Sequence, residues 1–215
     1  MREHIKVSGV VVQSMKIGEY DARIVLLTRE LGKIHAFVRG IRKVNNPLRA
    51  AASPFVFGVF SLYEGKNAYT LFEAEVIHYF RELADLLPEV YYGFYFLDFA
   101  AYFARENQAE TDLINLIYIS LKSLQNKGID KNLLKAVYEL KVMALNGEFW
   151  LVEKEVHHPA TKQAISYILS VPITKLYNFQ VTGEVLEELT RISKRYQSRI
   201  IDRPLKSLEI LEMMQ

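Results

Sequence analysis

Basic residues recur at short spacing between positions 33 and 49: Lys33, Arg39, Arg42, Lys43 and Arg49. If Lys33–Arg39 is a strand, Lys33, His35, Phe37 and Arg39 share one face, while Ile34, Ala36 and Val38 share the other. In the apolar run before it, Arg23, Val25, Leu27 and Arg29 also share a face. A three-residue turn over 30–32 then sets Arg29 beside Lys33 and Arg23 near Arg39. Like charges facing each other across strands destabilise a sheet unless an anion neutralises them. Nucleic acid is such an anion, because its phosphates take Lys and Arg along a groove and its bases stack on aromatic rings. Phe37 and Tyr63 are the candidate rings. A solvated outer face accounts for the same residues, and their types alone do not separate the two readings. Farther along, Arg191, Arg195 and Arg199 form an i, i+4, i+8 ridge with Lys194 beside it. Complementing a helix dipole explains that ridge, and a contact to phosphate or an acidic peptide is the alternative.

Other chemistry is limited by composition. No two of the ten glycines are closer than seven positions apart, so GxGxxG, GxxxxGK[ST] and GxSxG loops cannot exist. The chain has no cysteine, which removes disulfides, thiolate zinc sites, iron–sulfur ligation and thiol nucleophiles and fits a reducing, cytosolic compartment. There is no HExxH. Glu153, Glu155 and His157 would share a face in an extended segment, but a solvated polar stretch explains them better than a metal site. Glu73 and Glu75 read as structural or surface carboxylates. We expect no metal, no cofactor, no small-molecule substrate and no enzymatic activity.

The elements that must position the basic residues follow from hydrophobic period. The chain has 215 residues, 50% hydrophobic and 12% aromatic, enough for one sizeable core or two small ones. The charge-bearing N-terminus is not a secretory signal, and no run reaches the ~18 to 20 apolar residues of a membrane helix, so a soluble protein is expected. Apolar residues alternate over Ile5–Gln13, Arg23–Thr28, Lys33–Arg39, Phe55–Tyr63 and Tyr69–Tyr79, separated by turn signals. Five short strands, with an irregular or briefly helical link over Gly40–Pro54, suit a small closed barrel of the OB type; an SH3-like barrel gives a similar pattern.

After Phe80 the period becomes helical, with stripes at Tyr92–Phe103, Leu113–Leu124 and Leu133–Leu145, a helix over Ala160–Leu169 and a last one from Glu184 to Ile201 capped by Thr182. The expected class is α+β, with a barrel domain over 1–80 and a helical bundle domain over 81–215. Charge divides similarly. The net charge of +2 combines +6 over residues 1–49 with −4 over the rest, so the two parts suit different partners.

Several stretches together resemble the RecO family of bacterial DNA repair and recombination mediators. They are Gly18-Glu19-Tyr20-Asp21, Leu27-Thr28-Arg29-Glu30-Leu31-Gly32-Lys33-Ile34, Val38-Arg39-Gly40-Ile41-Arg42-Lys43, Ser53-Pro54-Phe55, Leu62-Tyr63-Glu64-Gly65, Glu73-Ala74-Glu75, Tyr138-Glu139-Leu140-Lys141 and Leu205-Lys206-Ser207-Leu208. The resemblance runs through nearly the whole chain in order. It implies an OB-fold that binds single- and double-stranded DNA, a helical domain, annealing of complementary strands, and cooperation with RecR in loading RecA onto DNA covered by single-strand-binding protein. The family's basic motif falls on Lys33, Arg39, Arg42 and Lys43, with Arg49 in the link. Binding of the acidic tail of single-strand-binding protein, which the family places on its helical domain, points to the helix around Tyr138–Lys141, with Lys135 and Lys141 as cations. Many members carry a four-cysteine zinc module after that helix; here residues 149–183 form a compact stretch without cysteine, to be held by packing of Trp150, Val152, Val156 and the following helix.

The reading is thus a cytoplasmic, nucleoid-associated DNA-binding mediator. Its sites are Arg23, Arg29, Lys33, Phe37, Arg39, Arg42, Lys43 and Arg49 for DNA, and Lys135, Lys141, Arg191, Arg195 and Arg199 for protein partners. An OB-fold RNA-binding module and a protein adaptor without strong DNA binding are the alternatives.

Overall fold

A computed structural model describes residues 4–43, 45–66, 68–150 and 156–214. The chain forms two compact units, one of residues 1–81 with 104–114 and the other of 82–103 with 115–215. In the first, five strands β1 (His4–Ile17), β2 (Asp21–Thr28), β3 (Gly32–Val38), β4 (Phe57–Tyr63) and β5 (Tyr69–His78) close a barrel in the order β1-β2-β3-β5-β4. All neighbours are antiparallel except β3 and β5. This is the OB-type barrel that the alternating pattern predicts. Inward residues Val7, Val11, Ile24, Leu26, Ala36, Val38, Phe60 and Leu62 are almost wholly buried and make the core. The link after β3 carries one helical turn, α1 (Leu48–Ala51), whose Leu48 joins that core together with Ile41, Ala52 and Val56.

β1 is longer than its apolar run because it serves two neighbours. Its first half pairs with β4, its second with β2, and the register slips between Val11 and Gln13 where it changes partner. The β2–β3 turn also falls one residue earlier than expected. Thr28 faces Gly32, so Arg29 lies in the turn instead of opposite Lys33, and Arg23 faces Phe37. The turn is held from both sides: the Thr28 hydroxyl donates to the Gly32 carbonyl and accepts from the Leu31 N–H.

Residues 105–110 strap this turn to complete the first unit. The Lys33 N–H donates to the Arg105 carbonyl, Asn107 to Leu31 and Glu110 to Arg29. Gly32, at φ +67°, is needed here, since a Cβ would stand 2.1 Å from the Arg105 carbonyl oxygen. A single division at residue 80 does not capture this strap.

The second unit is helical: α3 (Glu89–Phe103), the greater part of α4 (Thr111–Leu124), α5 (Lys131–Leu145), α6 (Pro159–Ser170), α7 (Gly183–Ile200) and α8 (Lys206–Met213). The short α2 (Arg81–Ala84) precedes them. α5 is central, packing on α3, α6 and α7. The aromatic stripe of α3 is core, as its spacing requires: Tyr95, Phe96 and Phe99 are fully buried, and Phe96 stacks on Tyr138 with ring centres 4.2 Å apart. Thr182 caps α7 through the Val185 N–H, as expected. His158 caps α6, with Pro159 in its first turn.

Of the residues expected to hold the stretch after α5, Trp150 meets Tyr196 edge-on with ring centres 6.3 Å apart and Val156 is half-buried. Trp150 is 61% exposed and contributes its carbonyl oxygen to the Tyr196 hydroxyl, while the buried ring is Phe149, edge-on to Tyr196. Val152, Glu153 and Glu155 lie outside the described residues. Downstream, both oxygens of Glu188 accept backbone N–H groups, from His157 and His158.

Candidate nucleic-acid interface

Four of the basic residues selected from sequence gather where the β1–β2 turn meets the end of β3. Arg23 is exposed on β2, two residues after the turn, with Phe37 opposite it on β3. Beyond Phe37 the chain leaves the sheet at Arg39 and folds back over the turn. The Gly40 N–H donates to Asp21 Oδ1 at 2.8 Å, the Arg42 N–H donates to the Tyr20 carbonyl, and the Arg42 guanidinium donates to the Glu19 carbonyl at 3.2 Å. Asn46 staples the link by donating its side-chain amide to the carbonyls of Arg39 and Gly40. The side chains of Arg23, Arg39, Arg42 and Lys43 are all exposed on this frame. Arg49, exposed on α1, follows the staple, its N–H donating to the Asn46 carbonyl.

Arg29 and Lys33 belong to the other end of the barrel. Both are half-buried beside the strap of residues 105–110, roughly 20 Å from Arg39 by the rise of the strand. The Glu110 carboxyl in that strap is pushed up by burial, against the lowering effect of the Arg105 N–H and charge. The eight candidates therefore form one group of Arg23, Phe37, Arg39, Arg42, Lys43 and Arg49 and a separate pair.

The register also places aromatic residues that alternation alone does not reveal. His4, Tyr63, Thr70, Phe37 and Arg23 are successive partners on β1, β4, β5, β3 and β2. The same walk returns to β1 at Met15 instead of His4, the stagger a small barrel needs to close. β5 bulges between Leu71 and Glu73, so Phe72 is exposed beside Glu73 and stacks on Tyr63 with ring centres 4.2 Å apart and planes 25° from parallel. The signal for Phe72 was present in the chain: Leu71 is a core residue, yet Glu73 and Glu75, at the same parity, cannot be.

Of the residues weighed for protein contacts, Lys141 is buried and donates to the Ile168 and Leu169 carbonyls, satisfying the end of α6; this corrects its reading as a presented cation. Lys135 is largely buried, 2.7 Å from Glu139 Oε1. Arg191 pairs with Glu188 at 3.0 Å, and Arg195 and Arg199 are exposed on α7. Between α5, α7 and α8 runs an open groove of about 610 Å³ lined by Lys135, Arg191 and Lys194 and also by Glu139, Glu187 and Glu212. Among the described residues no three of His, Asp and Glu lie together as metal ligands, and no helix is long and apolar enough to cross a membrane.

Residues 1–80 match the family described as Recombination protein O N terminal. Over 143 residues, 66% of this chain, the sequence is 30% identical to the DNA repair protein RecO of Alkaliphilus metalliredigens, covering 58% of that protein. Similarity to the Bacillus pumilus protein of the same name is 31% over 143 residues, covering 56% of it. The likeness to the Acetivibrio thermocellus protein of that name is lower, 22%, but extends over 98% of this chain and 97% of the relative. The chain is thus similar to the RecO family, through the family's N-terminal pattern over the barrel and through relatives named DNA repair protein RecO along nearly its whole length.

Proposed function

We propose that this protein acts in DNA repair and recombination as a non-enzymatic mediator, its barrel holding single- and double-stranded DNA by the phosphate backbone. The observation that carries the reading is the exposed group Arg23, Arg39, Arg42 and Lys43, framed by side-chain-to-backbone hydrogen bonds around one turn and backed by Arg49. Such a group costs stability through self-repulsion until a polyanion neutralises it. Annealing needs no catalytic side chain, because cations that neutralise two strands at once lower the repulsion between them. On this reading the helical unit meets proteins. The groove between α5, α7 and α8, with Lys135, Arg191 and Lys194, suits the acidic tail of single-strand-binding protein, and RecR is the partner with which RecA is loaded. A cytoplasmic, nucleoid-associated location goes with this role.

The test is oligonucleotide binding by the full chain across a salt series. Affinity is expected to fall steeply with salt, and Arg39→Ala with Arg42→Ala is expected to reduce the log–log slope on single strands by about 1.4, at ~0.7 per phosphate contact. No binding at low salt, or a slope that the double variant leaves unchanged, overturns the reading. Preference for structured RNA at equal salt selects an RNA-binding module instead.

A further inference from the structure

The rung of strand partners that holds Phe37 also carries residues that phosphate binding does not use. From one side to the other it reads His4, Tyr63, Thr70, Phe37 and Arg23, all on the outer face of the barrel. Phe37 is 39% and Phe72 37% exposed, large apolar rings that the fold does not cover. Tyr63 and Phe72 are already stacked on each other, and His4 stands edge-on to Phe72 with centres 6.1 Å apart. A core does not need this arrangement, because none of these rings lies in one. The bulge in β5 is what turns Phe72 outward onto Tyr63.

Charge identifies what such rings take. At one end the band adjoins Arg23 and, diagonally, Arg39; at the other it includes His4, with Lys6 two residues on and also exposed. Acidic residues flank the band on both sides along β4 and β5, Glu73 and Glu75 on one and Glu64 on the other. Glu73 beside Phe72 accepts from the Ser61 hydroxyl at 3.2 Å, Glu75 follows it on β5, and Glu64 lies past the end of β4. A polyanion is therefore excluded from running down β5 and favoured across the strands, with cations at both ends. Four strand spacings make the band about 19 Å long at ~4.8 Å each. That is the length of five or six stacked nucleotides at ~3.4 Å.

We propose that His4, Tyr63, Phe72 and Phe37 form a stacking platform for unpaired bases, so that this band gives the protein its preference for single strands while the Arg39–Lys43 group binds phosphates of either form. The proposal rests on the DNA-binding reading and assigns within it the part that tells single strand from duplex. In a duplex the base faces are occupied by their neighbours and only the backbone is presented, so only the cations are used. In a single strand each base has a face to offer, and any base serves, so the preference is independent of sequence.

The experiment measures affinities of the full chain for a 20-nucleotide oligothymidine, the same strand with abasic sites, and a 20-base-pair duplex, at one salt concentration. For the unmodified protein, abasic sites are expected to weaken binding about tenfold or more. Tyr63→Ala with Phe72→Ala is expected to weaken binding of oligothymidine by a similar factor, to abolish the penalty of abasic sites, and to leave duplex affinity and the salt slope unchanged; retained duplex affinity also shows that the barrel is folded. Equal binding of abasic and intact strands by the unmodified protein overturns the proposal, as does a variant that keeps the abasic penalty. If Arg39→Ala with Arg42→Ala weakens both DNA forms while the aromatic variant weakens neither, the platform falls and the phosphate reading stands. If the unmodified chain binds no DNA, both fall together.

Discussion

Glu139 is a buried carboxylate at the centre of the helical unit. Its Oε1 accepts from the Tyr95 hydroxyl at 2.6 Å and pairs with Lys135 at 2.7 Å, and its Oε2 accepts from Ser193 at 2.7 Å. Gln197 in turn donates to the Ser193 hydroxyl. A buried charge is tolerated only when its lone pairs are filled, so this network specifies how α3, α5 and α7 meet. Burial, then the Glu139 charge, pushes the Tyr95 hydroxyl well above its ordinary range, which keeps it a donor. Tyr95→Phe keeps the ring and removes one hydrogen bond to a charged group, so chemical denaturation is expected to show a loss of about 1.5–3 kcal/mol. An unchanged midpoint would mean that Glu139 does not depend on Tyr95. Glu188 gives a second outcome at this scale. Burial pushes its carboxyl up, but the His157 and His158 N–H groups and the Arg191 charge outweigh burial and hold it at about 2, against an ordinary 4.5. A lowered folded-state value means that Glu188 stabilises fully above about pH 4.5 and loses that contribution as the pH falls toward about 2. In acid titrations followed by circular dichroism, Glu188→Gln is expected to be less stable at neutral pH and to lose less stability between those limits.

At the scale of elements, the barrel depends on where strands can approach. A Cβ on Gly9 would stand 2.0 Å from the Leu27 carbonyl oxygen, at the end of the β1–β2 ladder where β1 also pairs with β4, opposite Gly58. Gly9→Ala forces backbone apart and is expected to cost about 3 kcal/mol in thermal or denaturant unfolding. Gly183→Ala, where a Cβ meets nothing within 4 Å, is the control expected to stay near zero. These elements were largely legible in the chain. Alternation over Arg23–Thr28 and Lys33–Arg39 marks two strands, and the stripe Tyr92–Phe103 marks a buried helix, because period reports burial directly. Details that depend on pairing were not legible. Whether Arg29 belongs to a strand or a turn is decided by the Thr28 hydroxyl and by a strap more than seventy residues away, neither of which leaves a local pattern. Lys141 looked like a surface cation because its type is usually exposed, and only the arrival of the α6 carbonyls makes it internal. α8 escaped notice because only Leu211 of its eight residues is buried, too little to make a stripe.

At the scale of the molecule, a net charge of +2 by itself predicts weak attraction to a polyanion, so the proposed DNA binding must come from arrangement and not from total charge. At physiological salt the screening length is ~8 Å, so charges elsewhere on the surface add little to successive phosphates held by Arg23, Arg39, Arg42 and Lys43. The two ideas separate in a pair of variants with equal net charge. Replacing those four residues by Gln lowers the charge by four, and so does replacing the exposed Lys122, Lys127, Lys162 and Lys175 of the helical unit. The first variant is expected to lose single-strand and duplex binding together, with the single-strand log–log salt slope falling by about 3 at ~0.7 per phosphate contact. The second is expected to stay within about twofold of the unmodified protein at ~0.15 M salt, and to diverge from it only at low ionic strength, where the screening length reaches ~30 Å at 0.01 M. Equal losses in the two variants at physiological salt would mean that the protein attracts DNA through its overall field, and that the group around the β1–β2 turn has no special part in it. Unequal losses in the expected direction make the barrel the source of DNA affinity. They also leave the acidic-leaning helical unit free to meet proteins while DNA is held.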